Sequence, residues 1–494
     1  MRSRAGTRPL AVAAALAVLA GAAGLTPVRA ATVSPGLKLV APGSEVTLYR
    51  YERGAPVAMD LGVLVAAVDS AFELRVVRPD YLQPPALTQV LHGTGGETET
   101  RPLDTGLLNG WLGLRDFFEV TFEDATGSTA FSILLTFCPN DPERQRYDDS
   151  GPDLPTYPPG CFANPFTKGV VWGIDHGWAG RIAASETPLI DIPNGRYTVH
   201  VSIADPYREL FGISDEDASI DITARVKRFE FSCSPVACGG SKPHVHAVAG
   251  PLGDRTTMAA APTIDDPDPA ILPDLIALPS WGIRVENRPR RSVLSFGATV
   301  WVAGASDLVV EGFRRDGEDV MDAYQYFYSG GEVIGRAPAG ELEFDPKRGH
   351  EHWHFKQFAQ YSLVDGNGGE VRASRKESFC LAATDAIDIT LDGARLNPYV
   401  GLASACGSSN SIWTRETLPL GWGDTYFQNL PGQSFNITNV PNGTYLIRIE
   451  ANPSGALYEQ TAANNVELRE VILKGAAGRR RVVVPPWNGI DSEL

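Results

Sequence analysis

The chain has 494 residues, 43% of them hydrophobic, with 59 acidic residues against 43 basic ones and a formal charge of −16. That length exceeds what one hydrophobic core organises, so two or more domains are expected, and the apolar fraction excludes wholesale disorder. The acidic balance excludes nucleic acid as an expected partner and favours cationic ones, including amines and basic polypeptides.

The first element is an export signal. Arg2, Arg4 and Arg8 precede an apolar run at 9–25, and "VRA" at 28–30 offers small residues where a signal peptidase would cut. Residues 1–30 therefore read as a signal peptide, and the mature chain as secreted and extracellular. Removing them takes away four arginines and no acid, which moves the formal charge from −16 to −20. No second apolar run reaches the roughly 18–20 residues that span a bilayer, so no membrane span is expected. Fifty glycines and 37 prolines cut up short Val/Thr/Tyr/Phe runs, the pattern of an all-β fold.

The next elements come twice. "IPNGRYTVHV" at 192–201 returns as "VPNGTYLIRI" at 440–449, and "WGID" at 172–175 returns as "WGDT" at 422–425. Strand-turn-strand patterns precede Cys138 and Cys380, at 120–138 and 361–380. "VAMDLGVLVAAVDSAFELRVV" at 57–77 resembles "SVLSFGATVWVAGASDLVVEG" at 292–312. Alternating apolar residues in "YTVHVSI" and "TYLIRIE" predict strands, and the PNG segments predict turns. The expected architecture is two related antiparallel β-sandwich-like domains in tandem, at 31–232 and 270–475. A Pro/Gly/Ala-rich linker at 233–269 joins them, and 476–494 forms a short polar tail.

All six cysteines lie after the signal, and an even number in an exported chain suggests disulfides. Six cysteines allow fifteen pairings. Nearest neighbours make the economical set, namely Cys138 with Cys161, Cys233 with Cys238, and Cys380 with Cys406.

The segment "HEHWH" at 350–354 carries three of the chain's eight histidines. On a strand His350, His352 and His354 share one face while Glu351 and Trp353 point away. Three imidazoles suit Zn, Cu, Ni or Fe and leave a coordination position open. The same letters match H-E-x-x-H, the zinc-peptidase pattern, which requires a helix instead. His244 and His246 in the linker form an H-x-H pair that reads as solvated linker residues or an accessory ligand pair.

Comparing the two halves separates scaffold from chemistry. The histidine segment falls opposite 109–118 of the first half, so that His350, His352 and His354 face Asn109, Trp111 and Gly113. Lys376 faces Leu134, and Tyr426 falls near His176 and Gly177. The five residues present only in the second half are candidates for catalysis and metal binding. Asp365 and Asp424 have counterparts in Asp124 and Asp175, so both read first as turn or scaffold carboxylates.

In this order "LPDLIALP" at 272–279, "GHEHWHFKQFAQYSLVD" at 349–365, "RKESFCL" at 375–381 and "GWGDTYFQNLPGQSFNITNVPNGTYLIRIEANP" at 421–453 make the second half resemble the lysyl oxidases, copper-dependent protein-lysine amine oxidases. The resemblance covers roughly 200 residues. It implies His350, His352 and His354 as copper ligands, and Lys376 and Tyr426 as the two precursors of a lysine tyrosylquinone cofactor. It further implies a primary amine or lysine-containing substrate and molecular oxygen as co-substrate, with aldehyde, ammonia and hydrogen peroxide as products. The family has a cysteine within the histidine motif where this chain has Glu351, so its disulfide network does not carry over. The Cys380–Cys406 bridge is expected to pin the strand carrying Lys376. The catalytic base is left open between Asp424 and Asp365. Two other classes stay open at this point: an H-E-x-x-H zinc peptidase with Glu351 as base, and a non-enzymatic β-sandwich binding protein.

Overall fold

A computed structural model describes residues 34–93, 95–162, 164–184, 187–229, 261–347, 351–374, 376, 378–476 and 478–493. The signal at 1–30, the Cys233–Cys238 pair, His244, His246 and His350 lie outside the described residues. Among the described residues the fold is all-β apart from two 3-10 turns and one short α-helix, Asp205–Phe211. Pro206 opens that helix, and Gly212, at φ 66°, closes it in the left-handed conformation. No helix among the described residues is long and apolar enough to cross a membrane.

Each half builds a five-stranded sheet of the same order. In the first, Thr129–Phe137, Leu114–Glu123, Gly195–Ile203, Ser219–Arg228 and Glu45–Arg50 follow one another. In the second, the order is Glu370–Ala373, Ala359–Val364, Gly443–Ala451, Val466–Lys474 and Arg481–Val483. The fifth strand comes from opposite sides of the repeat. Glu45–Arg50 pairs in parallel with Ser219–Arg228, the one parallel ladder among the described residues, beside isolated parallel bridges at Gly169–Asp388 and Thr263–Arg336. A parallel pair needs a long crossover, and here the rest of the first half supplies it. Arg481–Val483, in the segment read as a polar tail, pairs antiparallel.

The PNG turns repeat to the level of single bonds. Tyr197 donates its hydroxyl to the Pro193 carbonyl at 2.9 Å, and Tyr445 to that of Pro441 at 3.0 Å. Arg50 bonds Asn194 and the Ile192 carbonyl, while Arg480 bonds Asn442 and the Val440 carbonyl. Asp124 accepts the Thr126 and Ser128 amides at its hairpin, as Asp365 accepts those of Asn367 and Gly369. Both are half-buried turn carboxylates, each with an oxygen taken up by its own hairpin amides, so Asp365 leaves the set of candidate bases. Trp172 and Trp422 are both fully buried.

The second half adds a six-stranded sheet in the order Ser378–Phe379, His352–Lys356, Glu332–Asp345, Val320–Ser329, Leu308–Arg314 and Trp413–Leu418. A further sheet runs Pro273–Ala277, Arg291–Gly304, Trp422–Tyr426 and Asp385–Ala386. These two sheets bring the histidine strand and the Tyr426 strand into one core.

The halves are in direct contact. Lys168 and Gly169 donate their amides to the Ile387 carbonyl, and Ile389 donates to that of Gly169. A side chain at Gly169 would strike Asp388 and Thr390, with a Cβ 2.3 Å from an oxygen of each. Phe166 is buried with Leu278, Trp301 and Ile387, and Trp487 packs edge-on against both Phe166 and Tyr81.

Cys138–Cys161 and Cys380–Cys406 are disulfides, as nearest-neighbour pairing predicts. The second closes a loop with a sequence separation of 26. Replacing both of its cysteines by alanine is expected to lower unfolding free energy by about 3.5 kcal/mol on the loop-entropy account. Denaturant titration of the double variant checks this.

Candidate active site

The histidine segment is strand from His352 to Lys356, paired with Glu332–Asp345 so that His352 lies opposite Asp345 and His354 opposite Glu343. The alternation His-Trp-His-Phe explains the choice: one face carries the imidazoles, and the other buries Trp353, whose indole donates to the Ser408 carbonyl at 2.8 Å. The His352 and His354 rings lie 4.5 Å apart, nearly perpendicular, and His354 is buried. Glu351 is exposed. The helix that an H-E-x-x-H peptidase needs is absent from this strand, which removes that reading. Among the described residues no group of three or more His, Cys, Asp or Glu side chains is placed to hold an ion. His350, the third imidazole of the motif, lies outside them. The residue-by-residue match to the first half fails here for a geometric reason. Residues 109–113 form a closed turn, with the Asn109 amide donating to the Gly113 carbonyl, so no counterpart of the histidine strand exists there.

Lys376 sits in the connection between Glu370–Ala373 and Ser378–Phe379, not on a strand as the sequence suggests. Its backbone is held locally. The Lys376 amide donates to the Ser374 hydroxyl at 3.1 Å, which in turn donates to the Gly432 carbonyl at 2.7 Å. Gly432, at φ 88°, has no side chain to obstruct it; a Cβ there would stand 3.0 Å from that of Lys376. The Cys380–Cys406 bridge fixes the chain four residues on.

Tyr426 ends the strand Trp422–Tyr426, 50 positions further along the chain than Lys376. The two meet: the Lys376 Nζ lies 4.3 Å from the centre of the Tyr426 ring. The phenol donates to the Cys380 carbonyl at 3.3 Å, and Phe379 packs edge-on against the ring at 5.0 Å. Lys376 is only 8% exposed. Burial pushes its ammonium down to about 8, against the opposing pull of Asp424 and Asp345.

From sequence Asp424 reads first as a scaffold carboxylate, because Asp175 occupies the matching position, and stays one of two candidate bases. The structure separates the two. Both are buried, but Asp175 accepts the Thr156 amide in a turn, whereas Asp424 lies on the same strand as Tyr426, two residues away and therefore on its face. One of its carboxyl oxygens has no hydrogen-bond partner among the described residues. Burial holds its carboxyl well above the usual range, Lys376 pulls it back, and Asp385 adds to the rise. The Tyr426 phenol is likewise pushed up by burial and by the neighbouring Asp424, Tyr361 and Glu416. The i, i+2 spacing of Asp424 and Tyr426 in "GDTY" was the available signal for Asp424. Nothing local marks Glu416, a fully buried carboxylate that accepts the Leu381 amide at 2.9 Å.

Chemically, the arrangement is an amine of lowered basicity set over an aromatic ring, with a buried carboxyl beside both and two imidazoles on a strand of the adjoining sheet. Residues 335–481 match a family model described as Lysyl oxidase, and this range contains every residue of the arrangement. The chain is 33% identical over 119 residues to Lysyl oxidase homolog 1 of Homo sapiens, covering 24% of this chain and 18% of that protein. It is 28% identical over 137 residues to Lysyl oxidase homolog 2 of Homo sapiens and of Gallus gallus, covering 26% of this chain and 16% of each relative.

Proposed function

Because this chain belongs to the lysyl oxidase family through the domain at 335–481, we propose that it is a secreted copper-dependent amine oxidase that converts primary amines, peptidyl lysine among them, to aldehydes. The observation that carries this reading is the Lys376 amine standing over the Tyr426 ring. Turnover balances as one amine, one O₂ and one water giving one aldehyde, one ammonia and one hydrogen peroxide.

The donors suit the group. His352 and His354 present two imidazoles from one strand face, and His350 continues the same alternation in sequence, a nitrogen set that copper accepts. Copper held there supplies redox chemistry with O₂. A lysine tyrosylquinone formed from Lys376 and Tyr426 supplies the electron sink for amine oxidation. Its formation balances as one phenol, one amine and two O₂ giving the linked quinone, one water and one hydrogen peroxide.

The chain's own residues have separable tasks. Lys376 acts as nucleophile in its neutral form, and burial raises the neutral fraction at moderate pH. Ser374 and Gly432 hold its backbone so that the amine reaches the ring. Asp424 is the carboxyl offered as proton acceptor for the substrate carbon, its affinity for a proton raised by burial. The acidic surface concentrates cationic substrates at low ionic strength.

The sign of the pH effect follows. Below the Lys376 value of about 8 the amine is protonated, so the rate of joining Lys376 to Tyr426 is expected to rise roughly tenfold per pH unit and to level off above it. Peptide mapping of copper-loaded protein aged across pH 6–10 checks this. The central experiment is the same map at one pH. A linked peptide containing Lys376 and Tyr426 supports the proposal, and its absence from copper-matured protein rejects it.

A further inference from the structure

The first half of the chain lacks the histidines, the lysine and the tyrosine of the candidate site, yet it reaches into the core behind that site. Its segment 164–169 lies along residues 386–389 of the second half. Thr167 is fully buried and donates its hydroxyl to the Ala386 carbonyl at 3.1 Å. Asn164, 1% exposed, goes further in. Its amide donates to the Thr299 hydroxyl at 3.1 Å, and that hydroxyl bonds the Thr425 hydroxyl at 2.8 Å. The Thr425 and Asn164 side chains both act on the buried Asp385 carboxyl, favouring its charged form, and one of its oxygens has no hydrogen-bond partner among the described residues. Thr425 stands between Asp424 and Tyr426 on the strand Trp422–Tyr426 and points to the opposite face.

We propose that the first half is a built-in positioning element for the second, and that Asn164 is its working residue: a side chain from one half that completes the hydrogen-bonded network of Thr299, Asp385 and Thr425 and thereby sets the strand bearing Asp424 and Tyr426. A buried network of this kind holds its strand more firmly the more of its members are satisfied. Without the Asn164 donor, the Thr299 hydroxyl loses a bond that it accepts and the Asp385 carboxyl loses a group that stabilises its charge. The alignment of that strand with Lys376 then relaxes, although no group that touches substrate has changed. Asn164 is thus a positioning residue. The placement of the strand stands independently of the amine-oxidase reading; its effect on maturation rests on that reading.

Asn164→Asp is the discriminating variant. It keeps the oxygen that accepts the Phe166 amide at 3.0 Å and removes only the donor. It also sets a second carboxyl against Asp385, with Asp424 the next charge along. At acidic pH a shared proton restores a donor; as pH rises the two carboxylates repel. In full-length protein, hydrogen exchange over 422–426 is expected to match wild type near pH 5 and to become roughly tenfold faster near pH 8, relative to wild type at the same pH. The yield of the Lys376–Tyr426 peptide, with copper content unchanged, is expected to fall over the same interval. Exchange and yield that track wild type at both pH values overturn the proposal. Loss of the linked peptide in wild type as well rejects the amine-oxidase reading, while the exchange result still decides the role of Asn164. If Asn164→Asp fails to fold, Thr167→Val removes one bond from the same segment. It is expected to speed exchange at 385–387 and 422–426 by about threefold, and unchanged exchange there overturns the proposal.

Discussion

Lys376→Met is expected to abolish amine-dependent peroxide release while leaving copper content and fold unchanged. Methionine keeps the apolar stem that packs among Gly432, Phe379 and Tyr426 and removes only the nitrogen. That nitrogen is an ammonium that burial disfavours, so its loss should leave the unfolding midpoint equal to or above that of copper-free wild type in which Lys376 and Tyr426 are not yet linked. Tyr426→Phe should give the same complete loss. It forfeits one hydrogen bond to the Cys380 carbonyl, about 1 kcal/mol of stability. Mass spectrometry, metal analysis and denaturant titration of the two variants make the test. Retention of carbonyl-reagent-sensitive oxidase activity in either variant would show that the chemistry is carried elsewhere.

The second large effect is expected from Asp424→Asn, and of a different kind. The linked peptide should still form, because the nucleophile and the ring are untouched, but turnover should drop by about 10²–10⁴-fold, the range typical of a lost general base. The pH dependence of kcat should change with it, since a carboxyl raised by burial no longer titrates. An amide also removes the group that favours a charged Lys376, so maturation should extend to slightly lower pH. A variant with wild-type turnover would pass the role of base to another group. Deuterating the substrate α-carbon separates a proton-transfer defect from a binding defect.

Much of this was legible in the sequence, because the features concerned are periodic or paired. Alternation gave the strands Gly195–Ile203 and Gly443–Ala451, and the repeated PNG turns carry matching tyrosine and arginine contacts. The spacing of the histidines set His352 and His354 on one face, and proximity in sequence identified two disulfides. What stayed hidden depends on contacts between distant segments. Alignment of the halves made Asp424 look like Asp175, because position in a repeat says nothing about which carboxylate ends up buried beside an amine. Lys376 was expected on a strand; a short connection carries it instead, since its amide is occupied by the Ser374 side chain. Asn164 could not be found at all, for the hydroxyl to which its amide donates lies 135 positions away.

The placement of Lys376 in a connection, with Tyr426 anchored in a sheet, bears on durability. A bond between them would close a ring of about 50 residues, worth about 4 kcal/mol by the same polymer arithmetic that applies to cystine. That ring encloses the Cys380–Cys406 loop, so the domain would acquire a nested pair of staples, and the outer one contains no sulfur for a reductant to cleave. Maturation would therefore harden the protein against heat and proteolysis as it switches on the chemistry.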